Sequence, residues 1–163
     1  MADLEFHIYK VPSEYGEWLA AFDQDELIFL GSYNAGKKLV EGDLADFFKT
    51  HYAFKVGSFV PAKWNQGNFW TQKHKIKLQG TEFQMKVWLE LLKIPAGKTV
   101  TYSELAKKLR RPSAVRAVAS AVGKNPISYW IPCHRVVGKN GNTLKYHWGP
   151  EVKEYLLKVE GAL

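Results

Sequence analysis

The chain holds a single cysteine, Cys133, in the stretch Pro132-Cys133-His134-Arg135-Val136-Val137, directly after the apolar run Ile127-Ser128-Tyr129-Trp130-Ile131. A lone cysteine is most often a small buried hydrophobe. Here a proline fixes the backbone before it and a histidine follows it, which is the setting a thiol nucleophile needs. The thiolate is the reactive form, and a free thiol with a pKa of about 8.5 is only a few per cent ionised at neutral pH, so a nucleophilic cysteine requires a nearby base. Glu160, in Val159-Glu160-Gly161, is a candidate to orient His134. Ile127 to Ile131 reads as a short buried strand; adjacent residues in the extended segment that follows point in opposite directions, so the proton of Cys133 is expected to reach His134 through a water. One cysteine excludes an intramolecular disulfide, and with five scattered histidines no metal site and no cofactor are expected.

These residues must be held by elements that the hydrophobic periodicity outlines. Leu4 to Tyr9 partly alternates, Trp18 to Phe22 is mostly apolar and Glu26 to Tyr33 is β-prone, which predicts a small antiparallel sheet. Asp43 to Phe54 places Leu44, Phe47, Phe48 and Tyr52 at helical spacing, with acidic residues early and Lys49 late, as the helix dipole favours. Thr81-Glu82-Phe83-Gln84 fits a capping box, followed by Phe83, Val87, Trp88, Leu91 and Leu92 as a buried face. Pro95 and Gly97 end that helix, and Thr101 opens another with Leu105, Ala106 and Leu109 inward. Ser113 is the expected N-cap of a third helix and Gly123 its C-terminal glycine. The last two, joined by a brief turn, resemble a helix-turn-helix.

The length of 163 residues allows one compact unit or two small ones, at about 150 residues per domain. The soft boundary is placed near residue 75, giving an N-terminal α/β domain over 1–75 and a C-terminal domain over 76–163 that carries Cys133. Net charge sharpens that division. Residues 1–72 carry 6 Lys/Arg against 10 Asp/Glu, a net of −4, whereas residues 73–163 carry 17 against 6, a net of +11. A field of that sign attracts polyanions, nucleic acid first. Apolar runs such as Leu27 to Leu30 are far short of the roughly 20 residues that span a bilayer. No membrane role and no leader are expected, and a cytoplasmic protein, or a nuclear one in a eukaryote, is the default.

Asn125-Pro126, then Ile131-Pro132-Cys133-His134-Arg135-Val136-Val137-Gly138, with Gly80-Thr81-Glu82-Phe83-Gln84 and Val87-Trp88 upstream, resembles the O6-alkylguanine-DNA alkyltransferase family over residues 80–161. The resemblance implies an α+β fold in which a ribonuclease H-like sheet and helix precede a mainly helical domain with a winged helix-turn-helix. It implies direct reversal of O6-alkylguanine, with O4-methylthymine as a further lesion, by a single irreversible transfer to Cys133 in a monomer bound through the minor groove of duplex DNA. His134 would take the thiol proton and Glu160 would orient His134. Tyr102 would hydrogen-bond guanine N3 and crowd the 3′ phosphate, and Arg116 would fill the place of the flipped nucleotide. Asn125 would brace the turn around the cysteine, the carbonyls of Cys133 and Val136 would accept from the guanine amine, and Tyr146 would pack on the base. Ser113, Ala117 and Arg135 would join Arg116 and Tyr102 against DNA. A flipped nucleotide is what such chemistry requires, because O6 is hidden inside the duplex.

The chain departs from the family pattern at Tyr146-His147-Trp148-Gly149, where a small residue and two glycines usually follow the tyrosine. The backbone amide of His147 can still donate to the substrate oxygen. Trp148 stands where glycine keeps the pocket wall open, so a narrowed pocket that favours small lesions over benzyl groups is expected. The rival readings are a non-catalytic alkyltransferase-like lesion binder, a helix-turn-helix regulator and a thiol hydrolase that turns over. The presence of Cys133 weighs against the first. The second lacks an evident dimerisation element, and repeated turnover would mark the third.

Overall fold

The computed structural model describes residues 5–163, so the expected strand start at Leu4 lies outside the described residues. The chain divides into two compact units, Met1–Gln79 and Gly80–Leu163, with the division a few residues beyond the change of charge sign. In the first unit β1 (Phe6–Ser13), β2 (Gly16–Asp23) and β3 (Glu26–Ser32) form an antiparallel meander, with Phe6 opposite Asp23 and Val11 opposite Trp18. Helix α1 (Lys37–Tyr52) follows, and two short strands, β4 (Ala62–Lys63) and β5 (Lys75–Ile76), complete the sheet in the order β4-β1-β2-β3-β5. Both added strands run parallel to their neighbours, so the sheet is mixed rather than purely antiparallel.

Helix α1 buries Val40, Leu44, Phe47 and Phe48. It begins six residues before the expected Asp43, and its first turn carries no acidic residue, although Lys49 and His51 do occupy the last. The dipole argument therefore holds at one end only, and burial of the apolar stripe is what fixes the helix.

The second unit contains α2 (Glu82–Leu91), β6 (Val100–Thr101), α3 (Tyr102–Lys108), α4 (Val115–Gly123), β7 (Val136–Val137) and α5 (Pro150–Val159). The capping box at Thr81 is formed in both directions, Gln84 N–H to Thr81 Oγ1 at 3.1 Å and Thr81 N–H to Gln84 Oε1 at 3.0 Å. A side chain at Gly80 would collide with the Trp88 ring, which explains the glycine before the cap. Val87, Trp88 and Leu91 are buried, and Trp88 Nε1 donates to the Ala121 carbonyl at 2.8 Å, which ties α2 to α4. Leu92, expected on that face, is instead about half exposed at the helix end.

Thr101 caps α3 by accepting from Glu104 N–H. The cap of α4 is Ala114 with no side-chain bond, not Ser113, which lies in the preceding turn. Gly123 is the last residue of α4 and Lys124 its C-cap, so no left-handed glycine ends this helix. Strands β6 and β7 pair in parallel, Val100 with Val136 and Thr101 with Val137, and bring the start of α3 beside the segment that follows Cys133. No described helix is long and apolar enough to cross a membrane.

Candidate active site

Residues 127–131 do not form the expected strand. Ile127 makes an isolated bridge, and 128–130 turn, with Tyr129 at φ 75°. A bulky residue in that region is strained and persists only when its surroundings impose it. Asn125 does so: its Nδ2 donates to the Ile131 carbonyl at 2.7 Å and its Oδ1 accepts from Ile127 N–H at 3.0 Å, closing the loop that leads to the cysteine. Cys133 then opens a 3-10 turn, Cys133–Arg135, whose Val136 N–H returns to the Cys133 carbonyl. With three residues per turn, successive side chains diverge by about 120°. Cys133 faces a cavity, and His134 faces away, not because the segment is extended but because it is coiled.

His134 is fully buried. Its Nε2 lies 2.8 Å from Glu160 Oε1, and its Nδ1, also buried, meets no hydrogen-bond partner among the described residues. A proton on Nε2, held by the carboxylate, leaves Nδ1 as the basic nitrogen. Burial pushes His134 below its ordinary value, opposed by Glu160. Burial of Glu160 would raise its carboxyl, but the hydrogen bonds from His134 and Arg135 outweigh it and hold the group at about 2.

Arg135 was expected at DNA and is found elsewhere. Its Nε and Nη2 grip Glu160 at 3.0 and 2.8 Å and its Nη1 donates to the Ile94 carbonyl at 2.6 Å, so the guanidinium is spent on holding Glu160. A planar fork on a carboxylate is the arrangement for which arginine is suited.

The Cys133 thiol is 6% exposed and lines a cavity of about 250 Å³ with Tyr102, Ala119, Asn125, Ser128, Lys145, Tyr146 and His147. Burial raises its pKa, against which Asn125, Ser128, Lys153 and Tyr146 all favour the thiolate. Tyr102, at the start of α3, is raised by burial and by the nearby sulfur, and it therefore stays a proton-bearing hydroxyl. Tyr146 is raised further for the same reasons.

Two expected substrate residues do not line the cavity. Val136 is fully buried, and its carbonyl already accepts from Lys153 Nζ at 2.5 Å, leaving one lone pair. Trp148 is 3% exposed and its Nε1 donates to Ser128 Oγ at 2.7 Å. The indole is drawn inward behind the wall by burial and by that bond, so it does not narrow the cavity as expected. Ser113, Arg116 and Ala117 are exposed at the start of α4. Val118, Ala121 and Val122 form the buried side of that helix, and the open side shows Ala117, Ser120 and Gly123 between Arg116 and Lys124. A second cavity, of about 660 Å³, runs from Thr101, Tyr102 and Ser103 past Lys139 and Asn140 to Lys145.

Lys153 was not singled out from the sequence. It is fully buried, its Nζ bonds the carbonyls of Val136 and Lys145, and it lies 5.9 Å from the centre of the Tyr102 ring and 6.0 Å from that of Tyr146. Burial lowers its pKa to about 8, with the sulfur pulling the other way. A signal was present: Lys153 sits beside Val152 and before Leu156 and Leu157, on the apolar stripe of α5. No cluster of three or more metal-ligating side chains is found among the described residues.

Fold and site together define a class, an α+β protein whose carboxyl-terminal unit pairs an exposed small-residue helix with a buried thiol backed by a His–Glu–Arg cluster. The model of the 6-O-methylguanine DNA methyltransferase DNA-binding domain matches residues 82–162. The chain is 49% identical over 160 residues to a methylated-DNA--protein-cysteine methyltransferase of Methanosarcina mazei, covering 95% of this chain and 96% of that protein. It is 37% identical to the Methanosarcina acetivorans protein of the same name, over 92% of this chain and 95% of the other. Among solved structures it resembles Mycobacterium tuberculosis OGT in complex with DNA, with a TM-score of 0.70 and 29% identity over 96% of this chain and 93% of that one. The chain belongs to the methylated-DNA--protein-cysteine methyltransferase family.

Proposed function

We propose that this protein repairs O6-alkylguanine in duplex DNA, chiefly the methyl lesion and with O4-methylthymine as a further substrate, by moving the alkyl group once and irreversibly to Cys133. The observation that carries the reading is the cavity that Cys133 lines together with Tyr102 and His147, next in sequence to a His134 held by Glu160.

The thiol proton passes through a water to His134 Nδ1, and the imidazolium formed is stabilised by Glu160. The sulfur then attacks the alkyl carbon in line. A carbon–sulfur bond forms as the carbon–O6 bond breaks, and the electron pair stays on guanine. Tyr102 hydrogen-bonds N3 as that charge develops, and the proton held by His134 restores neutrality. A thioether is a poor leaving group, so the protein is consumed.

The base must leave the stack first, at an unstacking cost of a few kcal/mol. We infer that α3 and α4 act as a helix-turn-helix of winged type, with the open side of α4 against the minor groove of DNA. Ala117, Ser120 and Gly123 permit close approach, Arg116 enters the vacated stack, and basic residues of the second unit offset the cost through phosphate contacts. The second cavity, with Thr101, Ser103 and Lys145, suits the displaced backbone. The ribonuclease H-like sheet unit is read as a structural partner, and a monomer suffices for every step. The test is chromatography of nucleosides from a duplex bearing O6-methylguanine. The protein is expected to convert the lesion to guanine and Cys133→Ala to leave it intact; conversion by both, or by neither, overturns the reading.

A further inference from the structure

Trp148 touches Ser128 rather than the cavity, and the donor and acceptor arithmetic of that contact reaches the sulfur. An indole N–H can only donate, so at 2.7 Å Ser128 Oγ must be the acceptor. The hydroxyl keeps one hydrogen to give. Ser128 is 1% exposed, and it lines one cavity with Cys133 and Tyr146, whose anions its hydroxyl favours. Tyr146 keeps its own proton, because burial and the sulfur both disfavour its anion. The sulfur is the one of the two that becomes an anion, and a hydroxyl donating to an anion forms the stronger bond.

We propose that Trp148 and Ser128 are positioning residues for Cys133: the indole N–H pins the Ser128 hydroxyl so that its hydrogen is aimed at Sγ before substrate arrives. The inference rests on Cys133 being the acceptor of the alkyl group. It gives Trp148 a reason to stand where the family pattern has glycine, since Ser128 by itself is free to rotate toward Tyr146. A donor already aimed costs no reorganisation when the thiolate forms. Lys153, Tyr146, Tyr102, Lys145 and His147 are the other titratable groups facing the sulfur; Ser128 also acts on Tyr146 and Trp148 packs on His147, so the test needs both variants and the restoring Ser128→Thr.

The experiment is the pH profile of iodoacetamide alkylation of the full chain, in which Cys133 is the one thiol. Trp148→Phe keeps a buried ring and removes the N–H; Ser128→Ala removes the hydroxyl with little change of volume; Ser128→Thr restores it. Each of the first two is expected to move the profile to higher pH by roughly half a unit to one unit, slowing alkylation at neutral pH about 3- to 10-fold. The double variant should match Ser128→Ala alone, and Ser128→Thr should recover the profile. An unshifted profile in Trp148→Phe, or shifts that add in the double variant, overturns the relay. Should Trp148→Phe not fold, an unshifted Ser128→Ala profile is equally fatal. The O6-methylguanine assay is independent: its failure with the unaltered protein defeats the repair reading, while the iodoacetamide profile still decides the relay.

Discussion

Arg135→Ala separates the role of this arginine in the structure from the role expected of it at DNA. Its guanidinium makes three bonds, two to Glu160 and one to the Ile94 carbonyl, and the side chains of Arg135 and Glu160 are 16% and 13% exposed. Removing one partner of a buried pair costs about 3–5 kcal/mol. Glu160 keeps His134 and some contact with solvent, so the expected loss is nearer 2–3 kcal/mol. For a chain of this length each kcal/mol lowers Tm by about 2–4 °C, so a fall of roughly 5–10 °C should be seen by thermal denaturation. Non-specific duplex affinity, titrated at several salt concentrations, should keep its slope, because each lost phosphate contact changes the slope of log K against log salt by about 0.9. A slope reduced by about one with Tm unchanged would place the guanidinium on DNA and refute the reasoning.

Glu160→Gln should remove an acid-sensitive contribution. Glu160 is held at about 2 against an ordinary 4.5, so its stabilisation is complete above the higher value and is lost as pH falls toward the lower. Urea denaturation should show roughly 1–2 kcal/mol disappearing over that window in the unaltered protein, after discounting for solvent screening, and not in the variant. Lys153→Met should slow alkylation of Cys133 near neutral pH by removing a buried cation beside the sulfur. It should also abolish a rise in stability between about pH 8 and 10.5, where the folded lysine has released a proton that the unfolded chain still binds; a persisting rise argues against that assignment. Arg116→Ala should lower alkyl transfer from duplex DNA more than from free O6-methylguanine, and equal losses would reject its role in extruding the nucleotide.

Those residues also mark where sequence reasoning succeeded and where it stopped. The Thr81 and Thr101 caps, the burial of Leu44, Phe47 and Phe48, and the pairing of His134 with Glu160 follow from local chemistry or from spacing, and each is found. β-branched and aromatic residues dominate 127–131 and favour a strand there. The Asn125 side chain overrides that propensity by capturing both ends of the loop. The resemblance implies roles for Arg135 at DNA and Trp148 in the pocket wall, yet their directions are set by partners distant in sequence, Glu160 and Ser128. The family resemblance implies a DNA contact for Arg135, whereas burial and a carboxylate claim it in the fold. Lys153 stood on the apolar stripe of α5 and would have been found by treating a cation at a core position as an anomaly to be explained.

The central claim is that Cys133 is the atom-for-atom destination of the alkyl group and is used once. The most direct measurement is intact mass and peptide mapping after the full chain is mixed with an excess of duplex DNA bearing O6-methylguanine. The account predicts one methyl per protein, confined to the peptide containing Cys133, with guanine appearing in equal amount and then no more. Guanine released beyond the amount of protein, or a methyl group on any other residue, would contradict it.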